Sequence, residues 1–577
     1  MLGKRSKQQG LFESDHLYLK YVGGDSFYGY LASQRNKLFR DDDFAELYCS
    51  DNGRPGVPPS QMATALLLQT YDKVSDEEAK ERADYDLRWK VALGIEVEER
   101  PFAKSTLQLF RSQLILNEKM RAVFQRSLEM AKETGYFKPR KLRVVLDTSN
   151  ILGRGAVKDT YNLLADGIRK LMRSLAKAAH QSINHWVKEN GYERYLASSI
   201  KGEAEVNWDS ESERDAFLKG IVLDVERLLS LPEQVAKASP EWEEIEAGVG
   251  LLNQLIGQDI ERKGEVVKLK EGVSKDRLIS VQDPEMRHGR KSSSKLFNGY
   301  KAAIAVDSES QLITAVDVLA GNAGDATHAL ELTQESEANT GMDVEETVGD
   351  CAFGGGNTRQ IFADADRKLV AKVATHGRRD QISKEQFQID LAEMTCTCPA
   401  GQVTQTLISQ GSWKDKDGEK HKGQAFRFGT ADCAKCPLRV ECIKAKANRG
   451  RTVSLHPQEG LLQKAKAFQK SEAFKEYCQL RQVAEHRFAR LMQLGIRQAR
   501  YLGRKKTLFQ LLMAATVANL TLVARKTGQM RSGKGRFFLF PLHFLFYFGK
   551  LAPLLLFCSI LSPKNRLFDC ASRTITR

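Results

Sequence analysis

Residues 142–150 read LRVVLDTSN, and this stretch decides the fold. Its β-branched residues and alternating faces predict a buried strand over 142–147. Leu142, Val144 and Leu146 take one face, and Arg143, Val145 and Asp147 the other. A buried carboxylate is costly. At the carboxyl end of a central strand, where open α/β sheets place their ligands, Asp147 needs a metal or a hydrogen-bond partner. The alternative is that Asp147, standing before Thr148-Ser149, caps a turn or a helix.

Comparable order returns at Asp283. Residues 299–306 and 311–319 predict two strands joined by Asp307-Ser308-Glu309-Ser310, a β-hairpin. A helix is expected over 325–337. The run VEETVGDCAFGGG then predicts a short strand ending at Asp350, followed by a helix near 358–365 and a strand over 368–374. A right-handed crossover lays the Asp350 strand parallel to the Asp147 strand. Adjacent strands lie about 4.8 Å apart, so the two aspartates can share one or two cations.

On the N-terminal side, residues 1–26 read as a flexible basic leader and 27–135 as a helical domain. Pro58-Pro59-Ser60 opens one helix and Ser75 caps the next. A long helix is expected from Ser105, with Leu107, Phe110, Leu114, Met120 and Phe124 as its apolar stripe. This domain is either a helix-turn-helix-like module with Arg111, Lys119 and Arg121 facing phosphates, or a bundle that packs on its neighbour. The charged helical sequence after the first strand predicts an insertion over 176–282, between catalytic segments 140–175 and 283–374. His180 and His185 within it read as surface or packing residues rather than a metal pair.

Helix is expected again from 457 to about 495 and from 505 onward, inside a last catalytic segment, 458–527. Glu485 on the first of these can complete a triad of acids with Asp147 and Asp350. Three carboxylates suit two Mg2+ (or Mn2+) ions, which activate an attacking oxygen and stabilise a leaving one at a phosphodiester. Arg481, one helical turn before Glu485, reads either as its ion-pair partner or as a phosphate contact. Arg481, Arg487, Arg490, Arg497, Arg500, Arg504, Lys505 and Lys506 form a basic series fit to hold a nucleic-acid backbone. A solvated basic helix is the plainer reading.

The polar stretch 375–457 interrupts the catalytic pattern. Its Cys398, Cys433, Cys436 and Cys442 supply four thiolates for a tetrahedral Zn2+, against reduced thiols in a small core; Cys396 competes with Cys398 for one position. Cys351 reads as a small buried residue. The chain carries 88 Lys and Arg against 73 Asp and Glu, a net +15 that suggests a polyanionic partner. The N-terminus lacks the apolar core of a secretory signal, which favours the cytoplasm. The tail 528–577 is apolar over 537–561, long enough to span a bilayer, but Pro541, His543, Lys550 and Pro553 argue against an anchor.

Several stretches, in this order, resemble the DDE transposases of bacterial insertion sequences, most closely the insertion sequence eleven-eighty-two group. They are VVLDTSNILGRGAVKDTYNLL, DPEMRHGRKSSSKLFNGYKAAIAVD, TAVDVLAGNAGDA, VGDCAFGGG, CPAG with CAKCPLRVEC, and RQVAEHRFARLMQLGIRQARYLGRKK. The resemblance implies an α/β fold: an RNase H-like mixed sheet with flanking helices, a helical N-terminal domain, a helical insertion and a cysteine-rich insertion. It implies Asp147, Asp350 and Glu485 as the metal-binding triad, and Arg481 as the basic residue of a Y-R-E-K signature. Tyr477 stands one residue further from Arg481 than that signature has it, and Met492 replaces its lysine. The implied activity is metal-dependent cleavage of double-stranded DNA at element ends and transfer of the 3′-hydroxyl into target DNA, by a homo-oligomer that synapses two ends. The alternatives are a zinc-stabilised DNA-binding protein without catalysis and an RNase H-fold nuclease without strand transfer.

Overall fold

The first strand, β1 (Leu142–Leu152), does not end at 147 but runs on to Leu152. The computed structural model of the chain describes residues 1–5, 14–49, 53–264, 266–292, 294–375, 381–414, 419–444 and 449–530; the apolar stretch 537–561 lies outside them. The turn-forming residues Thr148, Ser149 and Asn150 are held extended by a long antiparallel partner. Their local preference loses to a ladder running from Val144 opposite Asp307 to Leu152 opposite Gly299. Asp147 therefore sits in mid-strand.

The other strands of the sheet are β2 (Arg287–Arg290), β3 (Leu296–Asp307), β4 (Ile313–Ala320), β5 (Val344–Gly349) and β6 (Leu369–Ala371). Their order is β4-β3-β1-β5-β6, and β2 pairs with the first residues of β3. β3 lies antiparallel to β1 and to β4, whereas β5 lies parallel to β1 and β6 parallel to β5. This mixed α/β architecture is compatible with an RNase H-like fold. Ala302, Ala303 and Ala305 of β3 are fully buried. Gly299, at φ +148, lies where β1 presses closest: a Cβ there would stand 2.2 Å from the Ile151 carbonyl oxygen.

Helices cover both faces. Ala329–Thr340 packs on the face shared by Val144 and Thr347, with the Thr333 and Thr347 hydroxyls 3.1 Å apart. Arg504–Lys526 is apolar and long enough to cross a membrane, yet most of it is buried against β4 and the helices Met120–Glu133 and Pro59–Asp72. Burying each of its large apolar side chains contributes about 1.5–3 kcal/mol. The N-terminal helices share this main core with the sheet and do not form a core of their own. The leader carries the helix Ser14–Val22, and the Met1 carbonyl accepts from the Gly56 N–H.

Two expected long helices are broken. The one from Ser105 splits into Lys104–Leu116 and Met120–Glu133, because Glu118 takes a left-handed conformation at φ +57. The one from 457 becomes Glu459–Gln469, Ala473–Leu480 and Gln482–Gln493. The helical insertion has a separate core that starts at Tyr161 and ends at Val281, so the helix Thr160–Ala178 belongs to it and not to the sheet. The cysteine-rich insertion forms two small three-stranded sheets.

Candidate active site

β1 and β5 position two of the three predicted acids. Val145 pairs with Val348 in parallel register; two residues on, that register sets Asp350, the first residue after β5, beside Asp147 and on the same face. The glycines after Asp350 turn the chain tightly. Gly354 passes so close to β6 that a Cβ there would lie 2.0 Å from the Lys372 carbonyl oxygen. The Ala352 N–H donates to Asp350 Oδ1 at 2.7 Å, fixing that carboxylate at the strand end.

Glu485 comes from the first turn of the helix Gln482–Gln493, which lies against β1 and buries Ala484, Phe488 and Leu491. Its carboxylate is close enough to act on Asp147. Burial lifts the Asp147 carboxyl to about 6, and Asp350 and Glu485 add to the rise; the Thr148 N–H, donating at 2.8 Å, and the Arg481 charge oppose it. The fold thus brings Asp147, Asp350, Glu485 and Arg481 together from widely separated stretches. Arg481 forms no ion pair with Glu485 among the described residues; it sits at the junction of two helices.

A neighbouring cluster has no counterpart in the sequence reading. Glu346 of β5 is buried and accepts from Arg143 Nε at 2.8 Å, from Lys368 and, through both oxygens, from the Tyr477 hydroxyl at 2.8 and 2.9 Å. Burial alone would raise its pKa, but hydrogen bonds from Lys368 and the Tyr477 hydroxyl and the positive charges of Lys368 and Arg143 hold it low. Tyr477 is therefore a structural anchor that ties the helix before Glu485 to β1 and β5. The one sign in the sequence is that Arg143 alternates onto the Asp147 face, where a half-buried cation calls for an acid.

The basic series divides. Arg487 and Arg490 fall on the packed side of their helix, with Ala484, Phe488 and Leu491. Arg487 is only 9% exposed, and among the described residues the Nε atoms of both lack partners. Arg504 donates to the Val318 carbonyl at 2.9 Å, Arg500 pairs with Asp76 at 3.1 Å and Lys505 with Glu118 at 3.4 Å. Arg497 and Lys506 are exposed. The three N-terminal phosphate candidates are all engaged: Arg111 with Asp76 at 2.6 Å, Lys119 with Glu46 at 2.7 Å, and Arg121 with Glu335. A cavity of about 720 Å³ opens between these N-terminal helices and the 500–506 segment. Lys73, Lys104, Arg111, Arg154, Arg500 and Lys506 line it together with Asp76 and Glu77, giving a recess with an excess of positive charge at the far end of β1.

In the cysteine-rich insertion, Cys398, Cys433, Cys436 and Cys442 line one cavity of about 30 Å³. Burial pushes the Cys442 thiol up, and Cys433, Cys436 and Cys398 add to the shift. Cys396 is fully buried and does not reach the cavity. Cys351 is exposed rather than buried, because it leaves the sheet at the Gly-rich turn. Among the described residues, no three His, Cys, Asp or Glu side chains are drawn up at the spacing of metal ligands, at the acids or at the thiols.

Residues 397–524 match the family model described as "Transposase DDE domain", and residues 25–113 match "Transposase domain (DUF772)". The first match contains Glu485 and the four cysteines; the second covers most of the N-terminal helices. Together they indicate a transposase, consistent with the DDE transposase of an insertion sequence. No curated protein and no solved structure matches the chain.

Proposed function

We propose that this chain is the DNA transposase of an insertion sequence, cleaving the element ends by divalent-metal-dependent hydrolysis and then joining each freed 3′-hydroxyl to target DNA. The observation that carries this reading is the meeting of Asp147, Asp350 and Glu485 from three separate chain segments at the end of β5. The transposase matches support it from either end of the chain.

The acids fit a divalent ion in chemistry. They are hard oxygen donors, and the half-buried Asp147 is held at an unfavourably high pKa by burial and its acidic neighbours. Asp147, Asp350 and Glu485 would hold one or two Mg2+ or Mn2+ ions, which when bound supply Lewis-acid activation of the attacking and leaving oxygens. Asp350 is oriented by the Ala352 N–H, and Glu485 by the anchoring of Tyr477 on Glu346. Arg481 places positive charge beside the acids for the phosphate. In the first step a water oxygen attacks phosphorus, the P–O3′ bond breaks and the 3′-oxygen takes a proton. In the second, that 3′-hydroxyl attacks a target phosphate, loses its proton and displaces the target's own 3′-oxygen.

Backbone contacts in this reading come from Arg497, Lys506 and the basic recess, and the active form is a homo-oligomer holding two ends in the cytoplasm. The test is Mg2+-dependent cleavage of end-containing DNA by the Asp147→Asn, Asp350→Asn and Glu485→Gln variants. Cleavage is expected to fall to background with DNA binding retained, and unchanged cleavage overturns the assignment. Joining of a precut 3′-end to plasmid DNA by the wild-type protein separates a transposase from a nuclease.

A further inference from the structure

The insertion that separates β6 from the Glu485 helix has little to hold it together. Its core contains six buried residues, Ile382, Phe387, Cys396, Phe426, Phe428 and Val453, and three of the partly buried side chains packed around them are the thiols Cys398, Cys433 and Cys442. A core this small rarely sustains a fold without a staple. The polar chain around it is nonetheless ordered into two sheets and docked on the helix Glu459–Gln469. There Lys384 pairs with Glu459 at 2.6 Å and Gln463 donates to the Ile389 carbonyl at 3.0 Å.

Four thiols surround the cavity at the edge of this core. Cys398 stands at the tip of a hairpin, where its N–H donates to the Gln402 carbonyl and its carbonyl accepts from the Gly401 N–H, both at 2.9 Å. Cys433 lies on the helical turn Thr430–Ala434, Cys436 two residues beyond it, and Cys442 ends the turn Arg439–Cys442. The Arg451 backbone N–H donates to Cys433 Sγ at 3.5 Å, and the Arg451 guanidinium donates to the Cys442 carbonyl at 2.9 Å. Such N–H donors are the outer partners that orient thiolate ligands and offset their charge. Among the described residues all four are free thiols. They come from a hairpin tip and a C-x-x-C turn with a further cysteine, a pairing that suits a closed tetrahedral site.

We propose that Cys398, Cys433, Cys436 and Cys442 bind one structural zinc ion in this cavity, which clips the insertion together and so fixes the approach of the helices leading to Glu485. As they stand the thiols are not at ligand spacing; each sulfur turns on χ1 alone, and the site requires that turn toward the shared cavity. The structure also selects between Cys396 and Cys398: the first packs into the apolar core, the second faces the cavity. Zinc here is structural and independent of the acids.

The experiment is native mass spectrometry and thiol counting on the full chain purified under reducing conditions. One zinc per chain is expected, equally in wild type and Asp147→Asn, so failure here is distinct from failure of the catalytic reading. Cys398→Ser and Cys433→Ser should lose the ion, while Cys396→Ser and Cys478→Ser keep it. Should the serine variants not fold, a zinc chelator added to wild type must expose four further reactive thiols and open residues 381–455 to protease. Zinc-free protein with those thiols already reactive, retention of zinc by Cys433→Ser, disulfides between the four, or no response to the chelator each overturns the proposal.

Discussion

Asp147 titrates in the folded chain near 6, well above the ordinary carboxyl, because burial and its acidic neighbours favour the protonated form. The folded state therefore binds this proton more tightly than the unfolded state, where an aspartate titrates near 4. Stability is lost as pH rises from about 4 to about 6, and the loss is complete above that. Without metal, at pH 7.5, Asp147→Asn should melt above wild type by roughly 1 kcal/mol after allowance for solvent screening, the gap closing toward about pH 4. Mg2+ should raise the melting temperature of wild type and not of the variant. Arg487 is the opposite case, a buried cation whose one hydrogen bond among the described residues goes to the Gln311 carbonyl at 3.5 Å. Burial first, then Arg490 and Arg525, lowers its pKa to about 10. Arg487→Met should be neutral or stabilising by about 1 kcal/mol in urea unfolding, with DNA affinity unchanged. Lys506→Ala should instead reduce the salt dependence of DNA binding by about one phosphate contact.

At the scale of elements, the helix Arg504–Lys526 is tied to the edge strand at its first residue, where Arg504 donates to the Val318 carbonyl, and again in mid-helix through Asn519. Asn519 Oδ1 accepts from the Ile313 N–H and its Nδ2 donates to the Ile313 carbonyl, both at 2.9 Å in a buried setting. Asn519→Ala leaves both backbone groups unsatisfied and should cost about 2–3 kcal/mol in urea unfolding. Thr521→Ala, which removes a hydroxyl shared between the Val517 and Ala518 carbonyls of its own helix, should cost well under 1 kcal/mol. The helix breaks near Arg481 have a comparable logic. Tyr477, held by Glu346, fixes the helix Ala473–Leu480 on the sheet, and Glu485 is delivered to β1 by the helix that restarts at Gln482.

For the whole molecule, the two insertions leave the sheet and return to it in different ways. The helical insertion has its own core and a narrow neck, where the Lys158 N–H donates to the Ile279 carbonyl at 3.4 Å and the Ala156 N–H to Gln282 Oε1 at 3.3 Å. Residues 157–281 should fold alone, seen as a cooperative helical melt by circular dichroism. Their replacement by a short Gly-Ser linker should leave the rest of the chain folded and able to cleave DNA. The N-terminal helices are different. Tyr136 donates to the Ser310 carbonyl at 2.6 Å, Gln125 to Asn339 at 2.9 Å, and Arg121 pairs with Glu335, so they are part of the body that carries the sheet.

Alternation along residues 142–147 sufficed to put Asp147 on one face of a central strand, since side-chain direction in a strand repeats every two residues. Crossover handedness brought Asp350 beside it, and C-x-x-C spacing marked the thiols. These are local or topological rules, legible in one dimension. What only the tertiary structure decided depends on which side of an element meets a neighbour. The long β3 ladder held Thr148–Asn150 extended against their turn preference, packing on the sheet turned Arg487 inward while leaving Lys506 outside, and the Arg143–Glu346–Tyr477 cluster joined residues from three distant segments. Burial and charge pairing are set by the partner surface, and no periodicity within one segment encodes that surface.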